Sequence, residues 1–383
     1  LPFFLSIPSH TMRYCSPDNR SVISTCDNVT NQYCDLAGGS RKEINTIKTK
    51  NLAIGTGLVL FAATATHAQE SGFTWEGSVE IGVDSTVSSD DLTAELTNAY
   101  IEAELAFEAA ITRRITLFGG LTLESVTDPL ASREFDDMGL YVSELGLRFD
   151  LAPATLSVGK ISPTFAFAWD ETPGFYGTSL AEDYELSEVI GASVDYPVGE
   201  TGGTISFAVF YADDTALSNS LGTKRGRNTT AAGGAGNTGK LDNVALQWTQ
   251  EMGETTYWVG ARHLSAGAGD VSDETGAVVG LTHDFSNGFN MIAEVAYFDG
   301  FGGAGDNATY ATFGGSYGVG DWSYSASLTG INNSAASSDH LVSLGIDYAF
   351  SSGVEVGGGI GFFDVGGVKS QAIGVSVVVP FGG

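Results

Sequence analysis

The stretch Lys-Ser-Gln-Ala-Ile-Gly-Val-Ser-Val-Val-Val-Pro-Phe, residues 369–381, alternates large apolar side chains with small or polar ones. Successive side chains of a strand point to opposite faces. One face therefore carries Ile373, Val375, Val377, Val379 and Phe381. The other face carries Gly374, Ser376 and Pro380, with Val378 as its one large apolar residue. A strand with one apolar face, one small or polar face and an aromatic end is typical of a wall between lipid and water.

The same period of two recurs along the chain and predicts an all-β fold of about sixteen strands, with fourteen or twelve as alternatives. The alternation is clearest near the start, where Phe73, Trp75 and Val79 are interleaved with Thr74 and Glu76. The predicted strands are 73–83, 99–107, 115–124, 145–149, 156–160, 190–196, 205–211, 244–248, 257–263, 277–285, 289–297, 311–317, 322–328, 342–350, 354–362 and 373–381.

The predicted connections alternate between long and short. The long ones are 84–95, 125–137, 162–188, 213–240, 265–274, 298–307, 331–339 and 364–368. The short ones include 108–113, 150–152, 250–254 and 286–288. Long loops on one rim and tight turns on the other predict a transmembrane, up-and-down, antiparallel β-barrel. A soluble β-sandwich is the alternative, but it would not alternate its loop lengths so regularly.

Aromatic residues cluster near the ends of the predicted strands. Such positions favour aromatic girdles at the two membrane interfaces over the general preference of strands for aromatic residues. They are Phe73, Trp75, Phe107, Phe149, Tyr196, Tyr211, Trp248, Tyr257, Phe285, Phe289, Tyr297, Tyr317, Trp322, Phe350 and Phe381.

The N-terminal part has the layout of a secretory signal peptide. Residues 48–68 comprise two lysines, an apolar run of about 14 residues and small residues before a predicted cleavage between Ala68 and Gln69. The run is too short for a spanning helix, which needs roughly 20 residues. Residues 1–47 precede this segment and hold all three cysteines, so we expect them to be an upstream extension from a mis-called start. A disulfide-linked cap is the alternative, for which an odd number of cysteines is a poor basis.

The expected mature chain, residues 69–383, is strongly acidic. The first 68 residues hold six basic and four acidic residues, so 11 Lys and Arg face 42 Asp and Glu, a formal net charge of −31. This charge argues against a nucleic-acid partner. It fits a water-filled passage that prefers cations, or a surface bathed in divalent cations.

On these features the chain resembles the Gram-negative outer-membrane general diffusion porins over nearly all of residues 69–383. The shared features are the signal segment, the strand count, the loop alternation, the final strand ending at Phe381, and the segment from Val158 to Asp170. The resemblance implies an outer-membrane location, a homotrimer and passive passage of small hydrophilic solutes and ions. It also implies that the third long loop folds into the lumen and that Phe381 serves as the assembly signal, although Gly382 and Gly383 follow it here.

The third long connection is the predicted pore constriction. If it folds inward, its carboxylates favour cations at the narrowest point, and a surface loop is the alternative. The carboxylates singled out are Asp170, Glu171, Glu182, Asp183 and Glu185. Arg148, Lys160 and Arg262 are the candidate cations of the opposite wall, where they would create a transverse field. Each of them would contribute nothing to selection if it were paired with a lumen carboxylate such as Glu102, Glu104 or Glu124.

The sequence also offers candidate sites outside the third long connection. The acidic clusters 88–91 and 134–137 offer possible loop-bound Ca²⁺. No cofactor, catalytic residue or metal site is predicted, because His263, His283 and His340 are scattered. Two other functions stay open: a barrel plugged by its loops that acts as an adhesin or structural protein, and an outer-membrane hydrolase in which Asp339 orients His340. Conductance in a planar bilayer separates the first from a porin, and hydrolysis by the purified protein would indicate the second.

Overall fold

Sixteen long strands account for most of the structure, a computed structural model that describes residues 72–199, 202–335 and 338–383. The strands are β1 (Phe73–Ser89), β2 (Thr97–Thr112), β3 (Ile115–Ser125), β4 (Met138–Asp150), β5 (Thr155–Ile161), β6 (Val189–Pro197), β7 (Thr204–Ala212), β8 (Asn243–Met252), β9 (Thr255–Leu264), β10 (Glu274–Asp284), β11 (Phe289–Asp299), β12 (Ala308–Val319), β13 (Trp322–Asn333), β14 (Asp339–Ala349), β15 (Glu355–Val365) and β16 (Val368–Gly382). Two strands of two residues each, Arg133–Glu134 and Leu221–Gly222, lie in long loops. The predicted sixteen-stranded barrel is confirmed.

The sheet closes because its first and last strands pair. Each long strand is antiparallel to the next in the chain, and β1 pairs with β16, with Val79 opposite Val379 and Ile81 opposite Val377. Closure leaves no edge strand, so the backbone hydrogen-bonding groups of a spanning strand can pair without water.

Strand β4 is much longer than the predicted 145–149. The register between β3 and β4 shifts between Gly120 and Leu121, so that Ser143 is an extra residue of β4 without an opposite partner. Such a bulge interrupts the strict alternation by one residue. The sequence pattern therefore concealed the first half of this strand.

The connections alternate in length as predicted, with one exception. The seven connections on one rim, here called the tight-turn rim, are short, whereas the loops 126–137, 162–188 and 213–242 are on the other, the long-loop rim. The predicted long connection 364–368 is instead a two-residue turn between β15 and β16. Gly366 and Gly367 have φ values of 61° and 77°, which glycine adopts without steric cost.

The two faces of the wall differ as the sequence predicts. On β16 the apolar face points outward, where Ile373 and Val375 are 47% and 61% exposed. Its inward neighbours Ala372 and Ser376 are buried. On β1 the outward Ile81 likewise alternates with the buried, inward Glu80. The apolar side chains thus form the outer surface, and the polar ones face the interior of the barrel.

The aromatic residues at strand ends lie mainly on one rim. All the predicted girdle residues except Tyr211 and Tyr297 lie on strands or turns near the tight-turn rim. There they form outward-facing clusters such as Trp75 with Phe381, whose ring centroids are 5.8 Å apart, and Trp322 with Tyr348 at 4.8 Å. The structure thus places one aromatic belt on the tight-turn rim, rather than two of equal size.

The expected extension (1–47), the signal segment (48–68) and the cleavage site at Ala68 and Gln69 lie outside the described residues. They remain expectations from the sequence.

Candidate functional site

The third long loop, residues 162–188 and here called the inner loop, folds into the barrel as predicted. It contains one short helix, α1 (Ala168–Glu171), and a 3₁₀ turn at Ala181–Tyr184. Large side chains of the loop are almost fully buried, with Tyr176 at 0% and Tyr184 at 1% exposure. The inner loop is therefore packed against the wall and is not a surface loop.

One wall carboxylate holds the middle of the inner loop. Glu294 of β11, 3% exposed, accepts hydrogen bonds from the backbone N–H of Phe167 at 2.8 Å and of Ala168 at 3.2 Å. It also accepts from the Tyr184 hydroxyl at 2.5 Å and from the Trp258 indole N–H at 2.7 Å. Because four donors converge on one buried carboxylate, Glu294 anchors both halves of the loop. No motif or spacing in the sequence marks Glu294 for this role, because its partners lie more than a hundred residues away.

The tip of the inner loop packs against a part of the wall where the inward-facing residues are glycines. A Cβ on Gly374 would lie 2.1 Å from the Phe175 ring, and one on Gly359 would lie 2.5 Å from the Cβ of Phe175. A Cβ on Gly345 would lie 3.2 Å from the loop backbone. These glycines admit the aromatic tip of the loop, whereas the sequence pattern predicted only that the face carrying Gly374 would meet water.

The loop carboxylates lie in two groups. Asp170 and Glu171 are in α1, and Glu182, Asp183 and Glu185 are in or directly after the 3₁₀ turn. In the second group, Glu182 accepts a hydrogen bond from Thr178 at 2.6 Å, and Asp183 accepts one from the Tyr310 hydroxyl at 3.0 Å. Burial, with the nearby Glu182 and Asp339, raises the pKa of Asp183 to about 8. Asp183 is therefore mostly neutral at pH 7.

Each of the three predicted wall cations lies in an ion pair. Arg148 pairs with Glu108, and it lies near the tight-turn rim. Lys160, 1% exposed, is 2.6 Å from Glu188 and 3.0 Å from Asp213. Arg262 is 2.7 Å from Glu274 and also donates to the Tyr184 carbonyl at 2.5 Å. Arg148 is thus separated from the other two, and Arg262 touches the inner loop directly.

A fourth buried cation comes from the next long loop, residues 213–242, here called the fourth loop. Arg225 donates two hydrogen bonds to Glu188, at 2.9 Å for the first. Its guanidinium lies 3.7 Å from the centroid of the Tyr141 ring. Glu188 has a φ of 50°, which is strained for a residue with a side chain. The pair therefore fixes the end of the inner loop to the fourth loop. The basic run Lys224-Arg225-Gly226-Arg227, in so acidic a chain, was the available signal for this contact.

The part of the wall formed by β1 and β2 is acidic on its inward face. Glu80 and Glu102 are directly opposite in the register, each 6% exposed, and Glu104 follows on the same face. Like charges directly opposite on two strands are destabilising. Among the described residues, the buried or half-buried basic side chains that could offset this negative charge all lie in ion pairs; they are Arg133, Arg148, Lys160, Arg225 and Arg262.

The acidic clusters of the outer loops make local contacts. Asp91 accepts hydrogen bonds from the backbone and hydroxyl of Thr93 at 2.9 and 2.7 Å, and Asp90 accepts from Lys369 N at 3.2 Å. Asp137 is 3.4 Å from Arg133. In residues 72–383, apart from the two short undescribed gaps, no three His, Cys, Asp or Glu side chains come together as a metal site requires. Phe381, the predicted assembly signal, packs on Trp75 where β1 and β16 close the barrel.

Solved structures share this architecture. The chain is similar to the outer-membrane channel DcaP of Acinetobacter baumannii, with a TM-score of 0.60 and 12% identity over 81% of this chain and 97% of that one. It is similar to a variant of the Rhodobacter blastica porin (0.54, 16% identity, 81% and 100%) and to Pseudomonas putida OprB (0.61, 11%, 83% and 96%). No family model and no curated protein matches the sequence. None of the helices in the described part of the chain is long and apolar enough to cross a membrane. The likeness establishes the closed-barrel fold of bacterial outer-membrane porins.

Proposed function

Because the chain has the fold of outer-membrane porins, we propose that it is a passive diffusion channel for small hydrophilic solutes and ions across the outer membrane, and that it prefers cations. Three features support a channel: the apolar outer surface, the polar inner face, and a long loop folded inside. A porin barrel needs no cofactor for this function, since the pore wall itself provides the path.

The observation that carries the cation preference is the distribution of charge inside the barrel. Carboxylates face the interior from the inner loop, with Glu182 and Glu185 each 7% exposed, and from the wall formed by β1 and β2 at Glu80 and Glu102. The buried and half-buried basic side chains of the described residues all lie in ion pairs. An interior with this balance attracts cations and repels anions.

A planar-bilayer recording across a salt gradient tests the proposal. We expect stepwise, ohmic conductance and a reversal potential with the sign of cation flow. A reversal potential of the opposite sign would contradict the cation preference. The absence of conductance would favour a barrel plugged by its loops, which the deep burial of Tyr176 and Tyr184 makes the second candidate.

Neutralising the carboxylates of the inner loop tests how much they contribute to the preference for cations over anions. The variant Asp170→Asn, Glu171→Gln, Glu182→Gln, Asp183→Asn should weaken the cation preference, because it removes up to four charges from one side of the passage. Glu254→Gln at a tight turn is the control for a general change of charge. An unchanged preference in the fourfold variant would place the filter elsewhere.

The arrangement of Asp339 and His340, the candidate catalytic pair of a hydrolase, gives little support to that alternative. Asp339 and His340 are neighbours on β14, so their side chains point to opposite faces; Asp339 is buried and His340 is exposed. Asp339 accepts a hydrogen bond from Gly366 N at 2.8 Å instead. We propose that the protein has no enzymatic activity. We also propose a homotrimer in the lipid of the outer membrane, which chemical cross-linking in intact membranes would test.

A further inference from the structure

The fourth loop is the one connection of the long-loop rim that carries a net positive charge. Residues 213–242 hold four basic and three acidic side chains, whereas the other connections of that rim are neutral or acidic. One of the four basic side chains, Arg225, is buried in its ion pair with Glu188. The other three, Lys224, Arg227 and Lys240, are exposed. In so acidic a chain, this concentration of exposed positive charge on one loop calls for a partner.

The exposed basic side chains of the fourth loop are not neutralised by carboxylates. The Lys224 ammonium donates to the Ser220 carbonyl at 2.5 Å, and the Arg227 guanidinium donates to the Asp214 carbonyl at 2.9 and 2.7 Å. Among the described residues, neither of these side chains nor Lys240 forms an ion pair. Their charges can therefore act on an anionic partner from outside the chain.

The acidic side chains on the surface of the same loop are fewer. Asp242 accepts a hydrogen bond from the Thr238 hydroxyl at 2.5 Å. The carboxylate of Asp214 lies beside Gly239, where a Cβ would be 3.4 Å from its Oδ2 atom. The third acidic residue, Asp213, is buried and pairs with Lys160. Three exposed cations against two exposed carboxylates leave the loop surface positive.

A two-residue strand places this loop on the outer surface of the wall. Strand β4 pairs with β5 from Leu145 to Asp150, and Leu221–Gly222 pairs with the remaining part of β4 at Gly139 and Leu140. Directly opposite residues of two paired strands lie on the same face. Leu221 and Leu140, which are 67% and 37% exposed, therefore continue the apolar outer surface of the barrel. Lys224 follows three residues later, so the basic side chains border the lipid-facing wall at the long-loop rim.

The lipid at this rim has the complementary charge. The long loops of an outer-membrane barrel lie on the outer side of the membrane, where the leaflet consists of glycolipids whose head groups carry phosphates. A lysine or arginine next to an anionic membrane surface raises the affinity by about fivefold. Because the charges adjoin the exposed Leu221, a phosphate attached to acyl chains fits this surface better than a free phosphate ion.

We propose that the fourth loop binds the phosphorylated head group of an outer-leaflet glycolipid, with Lys224, Arg227 and Lys240 as the phosphate contacts and Leu221 beside the acyl chains. The proposal needs an outer-membrane barrel but not the proposed conductance. It gives the fourth loop two functions on its two sides: Arg225 holds the inner loop, and the neighbouring cations hold lipid.

Binding of lipid A, the phosphorylated anchor of such glycolipids, to the folded protein in neutral detergent tests this surface. We expect saturable binding by the unmodified protein, and weak binding of lipid A from which the phosphates have been removed. The double variant Lys224→Gln, Lys240→Gln should bind lipid A about tenfold more weakly or worse, because it removes two charges from the phosphate contacts. The double variant Lys224→Arg, Lys240→Arg should bind normally, since it keeps the charges.

The matched control removes the same charge from the opposite rim. Arg113 and Arg114 are exposed in a turn of the tight-turn rim, and Arg113→Gln, Arg114→Gln should leave the affinity for lipid A unchanged. An equal loss of affinity in this control and in the double lysine variant would overturn the proposal. So would equal binding of lipid A with and without its phosphates.

The remaining outcomes distinguish other partners. Displacement of lipid A by inorganic phosphate far more readily than by sodium chloride of the same ionic strength would assign the site to the free anion and contradict a lipid. Unchanged lipid A binding with a loss of oligomers in the double lysine variant would assign the surface to a second copy of the chain. If that variant does not fold, Lys240→Gln alone decides, and an unchanged affinity overturns the proposal. A protein that binds lipid A as expected but carries no current would support this proposal and contradict only the channel.

Discussion

Glu294 is the residue on which the position of the inner loop depends most. It lies on β11, yet its partners Phe167, Ala168 and Tyr184 are in a loop more than a hundred residues earlier in the chain. A hydrogen bond to a charged group contributes about 1.5–3 kcal/mol. The four bonds to Glu294 therefore outweigh any single other contact of the loop.

Replacing Glu294 should release the loop without unfolding the barrel. In Glu294→Gln, the amide NH₂ group would face N–H donors and could accept none of their bonds, so the loop should become mobile and single-channel conductance should rise and become noisier. Glu254→Gln serves as the control. Conductance and noise equal to those of the unmodified protein would show that the loop is held elsewhere.

Asp183 gives the selectivity a dependence on pH. Its raised pKa of about 8 means that the carboxyl is neutral below that value and gains its charge as the pH rises through it. The ratio of cation to anion permeability should therefore increase between about pH 6 and pH 9. Asp183→Asn should remove this increase while keeping the side-chain volume. A pH dependence that persists in Asp183→Asn would assign the titration to another group.

At the scale of elements, the barrel strands were predictable and the contacts of the loops were not. The alternation of β16 or β1 is a local property of a dozen residues, so it is visible in the sequence. The glycines that receive Phe175 belong to three strands more than 160 residues away, and their meaning appears only when the loop is folded inward. Arg148 was expected to be a wall cation opposite the loop carboxylates, with an ion pair to a carboxylate such as Glu102, Glu104 or Glu124 as the alternative. It pairs with Glu108 because β2 continues to Thr112, past the predicted strand end.

The contact between the loop tip and the wall can be tested with a pair of substitutions, at Gly374 and at Phe175. Gly374→Ala places a Cβ in the position of the Phe175 ring and should displace the tip, with a change in conductance. Adding Phe175→Ala should restore a conductance close to that of Phe175→Ala alone. Gly330→Ala, whose Cβ would come no closer than 3.4 Å to a neighbour, is the control. Independent, additive effects of the two substitutions would show that these residues do not touch.

The contact of the fourth loop with Glu188 can be tested by comparing two arginine variants of that loop. Arg225→Met removes both hydrogen bonds to Glu188 and leaves Lys160 as its partner. We expect faster cleavage of residues 213–242 by thermolysin in the folded protein, because the loop loses its ion pair with the inner loop. Arg227→Met, an exposed residue of the same loop, should have little effect. Equal cleavage rates in the two variants would contradict this role of Arg225.

At the scale of the whole molecule, the fold follows from one requirement. Each backbone polar group must be paired where water is absent, and a closed antiparallel sheet meets that requirement with strands that are apolar on one face only. The interior can then be polar, so acidic groups such as Glu80 and Glu102 can be placed there. The sequence pattern indicated this division of faces, but not how much of the interior the two long loops occupy.

The central claim is that the apolar face of each strand contacts lipid and the other face lines a wet interior. The described residues contain no cysteine, and replacing Cys15, Cys26 and Cys34 by serine gives a parent chain into which single cysteines can be introduced without background. The decisive measurement is the labelling of Val375→Cys, Ser376→Cys and Val377→Cys in intact outer membranes by a small, water-soluble thiol reagent. The account predicts that Ser376→Cys is labelled without detergent, slowly because Ser376 is 9% exposed, and that Val375→Cys and Val377→Cys are protected until detergent is added. Equal labelling of the three, or protection of Ser376→Cys alone, would contradict it.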